Sequence, residues 1–182
     1  MRFRFFVCEC KLRLHKKVNA LIVVIMIATV LYALAPVIHS AAADSVGTFG
    51  SSSVGGSVIG TGGVAAKTGG LFQLTTAGTV TKITAYIRGS GYAKAAIYSE
   101  NGGPVSLVGG VTQQVSVPSS AGWVDFVYSS PVSLGAGYYW LTLIYDSGCS
   151  WFFNSGGVSA WNYVGYSNEP GSSFGSHTDL SV

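Results

Sequence analysis

The 182-residue chain carries ten Lys and Arg against seven Asp and Glu, a net charge of +3, and only 9% of it is charged. Arg2, Arg4, Lys11, Arg13, Lys16 and Lys17 hold most of the positive charge within the first seventeen positions, so the basicity belongs to a leader. From Asp44 onward four basic residues face six acidic ones, a net of −2; this excludes a nucleic-acid footprint, and the length suits one domain with one core.

The leader has the three parts of a secretory signal. After the basic start, 18–35 is an apolar run without a charge, followed by Pro36 and the small-residue stretch Ser40-Ala41-Ala42-Ala43. Cleavage is expected after Ala43, with the mature N-terminus between residues 41 and 46. The alternative is an uncleaved membrane anchor, since the apolar run sits at the lower edge of what spans a bilayer. Either way the remainder is expected outside the cytoplasm, secreted or at the cell surface, and membrane contact would come only through this segment. Cys8 and Cys10 fall in the leader; Cys149 is the one exported thiol, expected as a small buried hydrophobe.

All twenty-five glycines and all four tryptophans lie in the exported part. Residues 44–78 read as a Gly/Ser-rich lead-in with short strands, and 79–182 as the core of a β-sandwich, 44–182 making one domain. In 79–88, Ile83, Ala85 and Ile87 alternate with Lys82, Thr84, Tyr86 and Arg88, a half-buried strand. Gly89-Ser90-Gly91 follows, and 92–99 alternates again, so the two runs are expected to form a hairpin. Asn101 to Pro104 reads as a turn and 111–117 as a strand. The stretch 122–145 reads as two strands around a Pro/Gly turn. Val124, Phe126 and Tyr128 share one face of the first, while the second, 138–145, is apolar on both faces like a covered central strand. Further strands are expected at 149–154 and 160–167. The pattern is all-β: an antiparallel sandwich, jelly-roll-like, preceded by the hydrophobic signal helix.

The order Ala95-Ala96-Ile97-Tyr98-Ser99, Asn101-Gly102-Gly103-Pro104-Val105-Ser106-Leu107, Gly122-Trp123-Val124-Asp125-Phe126, Pro131-Val132-Ser133-Leu134, Ala136-Gly137-Tyr138-Tyr139-Trp140-Leu141 resembles a module of secreted and cell-surface proteins of archaea and bacteria. The resemblance covers roughly 80–145. It implies a jelly-roll-like sandwich serving as an accessory or surface domain, and it brings no catalytic residues with it.

Two motif matches fail on context. Gly60-Thr61-Gly62-Gly63-Val64-Ala65 fits the dinucleotide fingerprint, but Gly69-Gly70 would stop the required helix and Lys82 stands where an acid is needed. Gly171-Ser172-Ser173-Phe174-Gly175 fits a nucleophile elbow with His177 and Asp179 behind it, but it lies in a Pro/Gly/Ser run and reads as a surface loop. No catalytic constellation is expected, and the protein is read as a non-enzyme. No cofactor is expected either; Glu100, Asn101 and Asp146 are loop oxygens of the kind that hold calcium, without the spacing of a defined site.

Aromatic residues are the enriched feature. Tyr86, Tyr92, Tyr98, Trp123 and Trp161 fall on strand faces opposite the small or aliphatic positions, and with Asp125 they are the candidate ligand-binding residues. Asp125 by itself reads as a solvated strand position. The expected function is an exported binding module for a glycan or cell-envelope polymer, with an adhesive role. The alternatives are a structural subunit that self-assembles by edge-strand pairing, using 44–59 or the strand beginning at Leu180, and a glycan-active hydrolase with paired acids.

Overall fold

The computed structural model describes residues 47–60 and 62–181, with side chains to residue 178. The signal, its cleavage site, and Val182 lie outside the described residues. The part from Gly47 onward is one compact unit. Its strands are β1 (Ser57–Gly60), β2 (Ala66–Leu74), β3 (Gly78–Gly89), β4 (Tyr92–Glu100), β5 (Pro104–Val111), β6 (Val115–Ser116), β7 (Gly122–Leu134), β8 (Gly137–Tyr145), β9 (Cys149–Phe153), β10 (Val158–Tyr163) and β11 (Thr178–Ser181), with one 3₁₀ turn at Tyr166–Asn168.

The strands form two antiparallel sheets. A four-stranded sheet has the order β1-β9-β3-β7; a seven-stranded sheet has the order β11-β10-β2-β8-β4-β5, with β6 also paired to β4. Period-two alternation explains how they pack. Ile87, Phe126 and Cys149 of the first sheet meet Ala66, Ala93, Ala95, Leu143 and Tyr145 of the second in one buried cluster, and Ile97, Tyr128, Val132 and Leu134 form a second beside it. Each large apolar side chain buried there contributes about 1.5–3 kcal/mol. The alanines on β4 let the sheets approach closely. Cys149 is buried as expected, its Sγ 3.4 Å from the carbonyl oxygen of Ser90, and burial pushes the thiol up to about 11, away from reactivity.

Several expected connections are corrected. β3 and β4 do not form a hairpin: β3 lies in one sheet and β4 in the other, so Gly89-Ser90-Gly91 is an arch across the core. Gly91 takes φ +83°, and a Cβ there would sit 2.1 Å from Asp146 Oδ1, so the arch needs a glycine at that point. β7 and β8 are likewise split between sheets, and β7 continues through Pro131, which was expected in the turn. The proline is tolerated because β7 ends the four-stranded sheet and its pairing with β3 is irregular between Val80 and Lys82. The expected strand 111–117 is displaced: β5 starts at Pro104, and Thr112–Gln114 separate it from β6. Thr112 N–H donates to Ala95 O, and Gln113 N–H donates to Val127 O, which ties the two sheets together beside β7.

The expected lead-in contains a regular nine-residue strand, β2, held between β10 and β8. Gly69 lacks the Cβ that would press within 2.8 Å of Thr142 Oγ1 on the neighbouring strand. Lys67 on this strand is only 1% exposed. Its Nζ donates to Glu169 Oε2 at 2.8 Å and lies 4.7 Å from the centre of the Phe174 ring. Glu169 and Phe174 belong to the segment after β10, which covers the outer face of the seven-stranded sheet over Ala96, Tyr98, Trp140 and Ile144. The elbow-like Gly171–Gly175 run is part of this cover rather than a plain surface loop: Phe174 is fully buried, and its N–H donates to Val105 O on β5.

A buried ion pair contributes little net stability when intact but exposes a large penalty when one partner is lost. Glu169→Gln, which strands the fully buried lysine, is expected to destabilise the domain by about 3 kcal/mol, and Lys67→Met by less, because Glu169 is 13% exposed and keeps the Gly171 N–H as a donor. Urea unfolding midpoints compare them; an unchanged midpoint in Glu169→Gln would show that packing of the lysine stem, not charge, holds the cover.

Candidate functional site

The alternation that sends Ile83, Ala85 and Ile87 inward sends Lys82, Thr84, Tyr86 and Arg88 to the outer face of the four-stranded sheet. The register does the rest. Tyr86 is opposite Trp123 and Thr84 opposite Asp125 on β7, while Arg88 is opposite Ser150 on β9. Phe152, two residues beyond Ser150, faces Val58 on β1. The ring of Tyr86 lies 5.3 Å from that of Trp123 and 5.0 Å from that of Phe152, edge to face in both cases. Trp123, Tyr86, Phe152 and Val58 thus make one apolar row across all four strands, about 14 Å long at three inter-strand spacings. Trp123 is 48% exposed and Val58 44%.

Polar groups flank the row on both sides. On one side, Asp125 Oδ2 accepts from Lys82 Nζ at 2.7 Å and Oδ1 from the Thr84 hydroxyl at 2.6 Å. The Lys82 hydrogen bond, then that from Thr84, hold the Asp125 carboxyl below the usual carboxylate range. The stabilisation this gives is present above the ordinary carboxylate range and is lost as pH falls through the lowered value. On the other side stands Arg88, exposed, its guanidinium carbon 5.9 Å from the Phe152 ring centre. Tyr86 Oη donates to Ala121 O at 3.4 Å, which fixes the central ring.

Three of the six expected site residues therefore converge: Tyr86, Trp123 and Asp125. The other three do not join them. Tyr98 does lie opposite the inter-sheet core, as its alternation requires, but the C-terminal cover makes it 0% exposed, and its Oη donates to Gly171 O at 3.2 Å. Burial, and then Glu169, raise its pKa. It is a packing residue, and its expected exposure is corrected. Tyr92 is exposed at the start of β4, in the other sheet. Trp161 sits on β10, its ring 4.5 Å from that of Tyr163, beside an open depression of about 210 Å³ that Asn162 and His177 also line. Sequence reading missed Phe152, Arg88 and Val58. Arg88 follows from the same alternation as Tyr86, whereas Phe152 lies among Trp151, Phe152 and Phe153, where only the pairing with β3 decides which ring faces out.

Of the loop residues whose oxygens are of the kind that hold calcium, Glu100 has another task. Glu100 accepts from Gly102 N–H at 2.7 Å and from Gly103 N–H at 3.2 Å, and also from Trp140 Nε1, so it caps its own turn. Among the described residues, no three His, Cys, Asp or Glu side chains group as metal ligands. The dinucleotide-like glycines lead from β1 through a turn at Gly62-Gly63 into β2, with no helix for a phosphate. No family model, curated protein or solved structure matches the chain.

Because the Thr84 hydroxyl is one of the two groups holding the Asp125 carboxyl down, Thr84→Val is expected to move its titration upward, toward the ordinary range. Carboxyl-carbon NMR over an acid titration reads this directly; an unmoved midpoint would assign the whole shift to Lys82.

Proposed function

We propose that this chain is an exported, non-catalytic surface module with jelly-roll topology, which binds a glycan or cell-envelope polymer through the outer face of the four-stranded sheet. The observation that carries the reading is the row Trp123, Tyr86, Phe152 and Val58, partly exposed and bordered by Asp125, Thr84, Lys82 and Arg88. Aromatic faces pack against the C–H faces of sugar rings, while flanking carboxylate, hydroxyl and cationic groups satisfy sugar hydroxyls that would otherwise lose water. A row crossing four strands suits an extended chain better than one small molecule. The orders β1-β9-β3-β7 and β2-β8-β4-β5 support the jelly-roll topology, since they interleave the strands as two Greek keys do. Fold alone assigns no ligand. Export rests on the basic, apolar and small-residue parts of the leader.

The alternatives have less support. Ser57–Gly60, the part of the N-terminal segment that would have to reach a neighbouring subunit, pairs with β9 of its own chain. For a hydrolase, Asp125 would need a second acid across a cleft. It is instead engaged with Lys82 and Thr84, and Glu100 and Glu169 belong to the other sheet and its cover.

The test is retention of the purified exported protein on a panel of immobilised polysaccharides and cell-envelope preparations. Trp123→Ala and Phe152→Ala are each expected to weaken binding by about 1 kcal/mol, roughly fivefold, with Trp123→Ala leaving the unfolding midpoint unchanged. Retention that is indifferent to both substitutions would place the ligand elsewhere.

A further inference from the structure

Building on the glycan-binding reading, we propose that Arg88 makes this face selective for acidic glycans, pairing its guanidinium with the carboxylate of a uronic acid stacked on the aromatic row. Three of the four Lys and Arg side chains among the described residues are already engaged. Lys67 is buried on Glu169 and Lys82 is paired with Asp125. Lys94 is partly buried, donates to Tyr166 O at 3.2 Å and lies 4.5 Å from the centre of the Tyr166 ring. Arg88 is the cation left exposed without a carboxylate at ion-pair distance among the described residues.

Its position is specific. Arg88 is two residues from Tyr86 on the same strand face, so it stands about 7 Å along the strand from the aromatic row. Phe152 borders its guanidinium. Opposite Arg88 is Ser150, and opposite Ser150 is Gly60, where a Cβ would come within 3.1 Å of Ser150 Oγ. The missing side chain leaves the serine hydroxyl open. Arg88, Ser150 and Gly60 therefore form a low polar shelf parallel to the row, and a sugar ring stacked on the row projects its ring-edge carboxylate toward that shelf. A guanidinium presents paired donors in a plane that matches the two oxygens of a carboxylate. The opposite flank works the other way. Asp125 and Lys82 balance each other's charge there, so that flank offers an acid no net cation, and the polymer is oriented with its carboxylates on the Arg88 side and neutral hydroxyls toward Asp125 and Thr84.

The experiment compares polygalacturonate, the same polymer with its carboxyls reduced to alcohols, and dextran sulfate, by affinity electrophoresis with wild type, Arg88→Ala, Arg88→Lys and Trp123→Ala. Wild type is expected to bind the polyuronate at least tenfold tighter than the reduced polymer. Arg88→Ala is expected to lose about tenfold on the polyuronate only, Arg88→Lys to recover part of that, and Trp123→Ala to weaken both. Equal affinity of wild type for acidic and reduced polymer, with Trp123→Ala still weakening both, would overturn the selectivity and leave glycan binding standing. Dextran sulfate bound as tightly as polyuronate, with Arg88→Lys equal to wild type, would overturn the carboxylate assignment in favour of a plain positive charge. Failure to bind any polymer would remove the glycan reading itself.

Discussion

The structure depends on the register of β3. This strand sits between β7 and β9, and its inward residues, Ile83, Ala85 and Ile87, close the space above the alanines of β4. Side chains alternate with a period of two, so a slip of one residue would drive Lys82, Thr84, Tyr86 and Arg88 into an apolar interior and put the isoleucines in water. The same constraint that builds the core therefore determines what the outer face presents. Tyr86 meets Trp123 and Phe152 because Ile87 is opposite Gly122 on one side and Trp151 on the other.

The two sheets then divide the aromatic residues into different physical roles. Outside the seven-stranded sheet, the segment after β10 folds back so that Tyr98, Trp140 and Phe174 become a second, satellite core, locked by Lys67 and Glu169. Outside the four-stranded sheet no described segment covers the row, and Trp123 keeps about half of its surface. A buried lysine among aromatic rings looks at first like functional chemistry. Its carboxylate partner at 2.8 Å and its burial make it a structural lock, while the exposed arginine on the other sheet has no such partner. What distinguishes the two faces is coverage rather than composition.

Much of the fold was legible in the residues. The inward sets Ile83-Ala85-Ile87 and Val124-Phe126-Tyr128, the central character of 138–145, the strand near 149–154 and the burial of Cys149 all follow from alternation and composition; the strand expected over 160–167 ends at Tyr163, and Tyr166–Asn168 form a 3₁₀ turn instead. Three of the six site residues also converge as their faces suggested. Connectivity was not legible: Gly89-Ser90-Gly91 has the composition of a hairpin turn, but the same glycines serve an arch, and only the choice of partner strands separates the two. β2 escaped notice because its glycines lower strand propensity, yet they are what allow the close approach to Thr142.

The sequence by itself determined the all-β class and which faces of most strands are apolar, because those properties are local: period, composition and turn chemistry act within ten or so residues. Tertiary structure decided which faces remain exposed. Tyr98 and Tyr86 look alike in sequence, each a tyrosine alternating with aliphatic neighbours. One is sealed by a segment some seventy residues away and the other stands open between two rings, because coverage is set by long-range packing that no local pattern encodes.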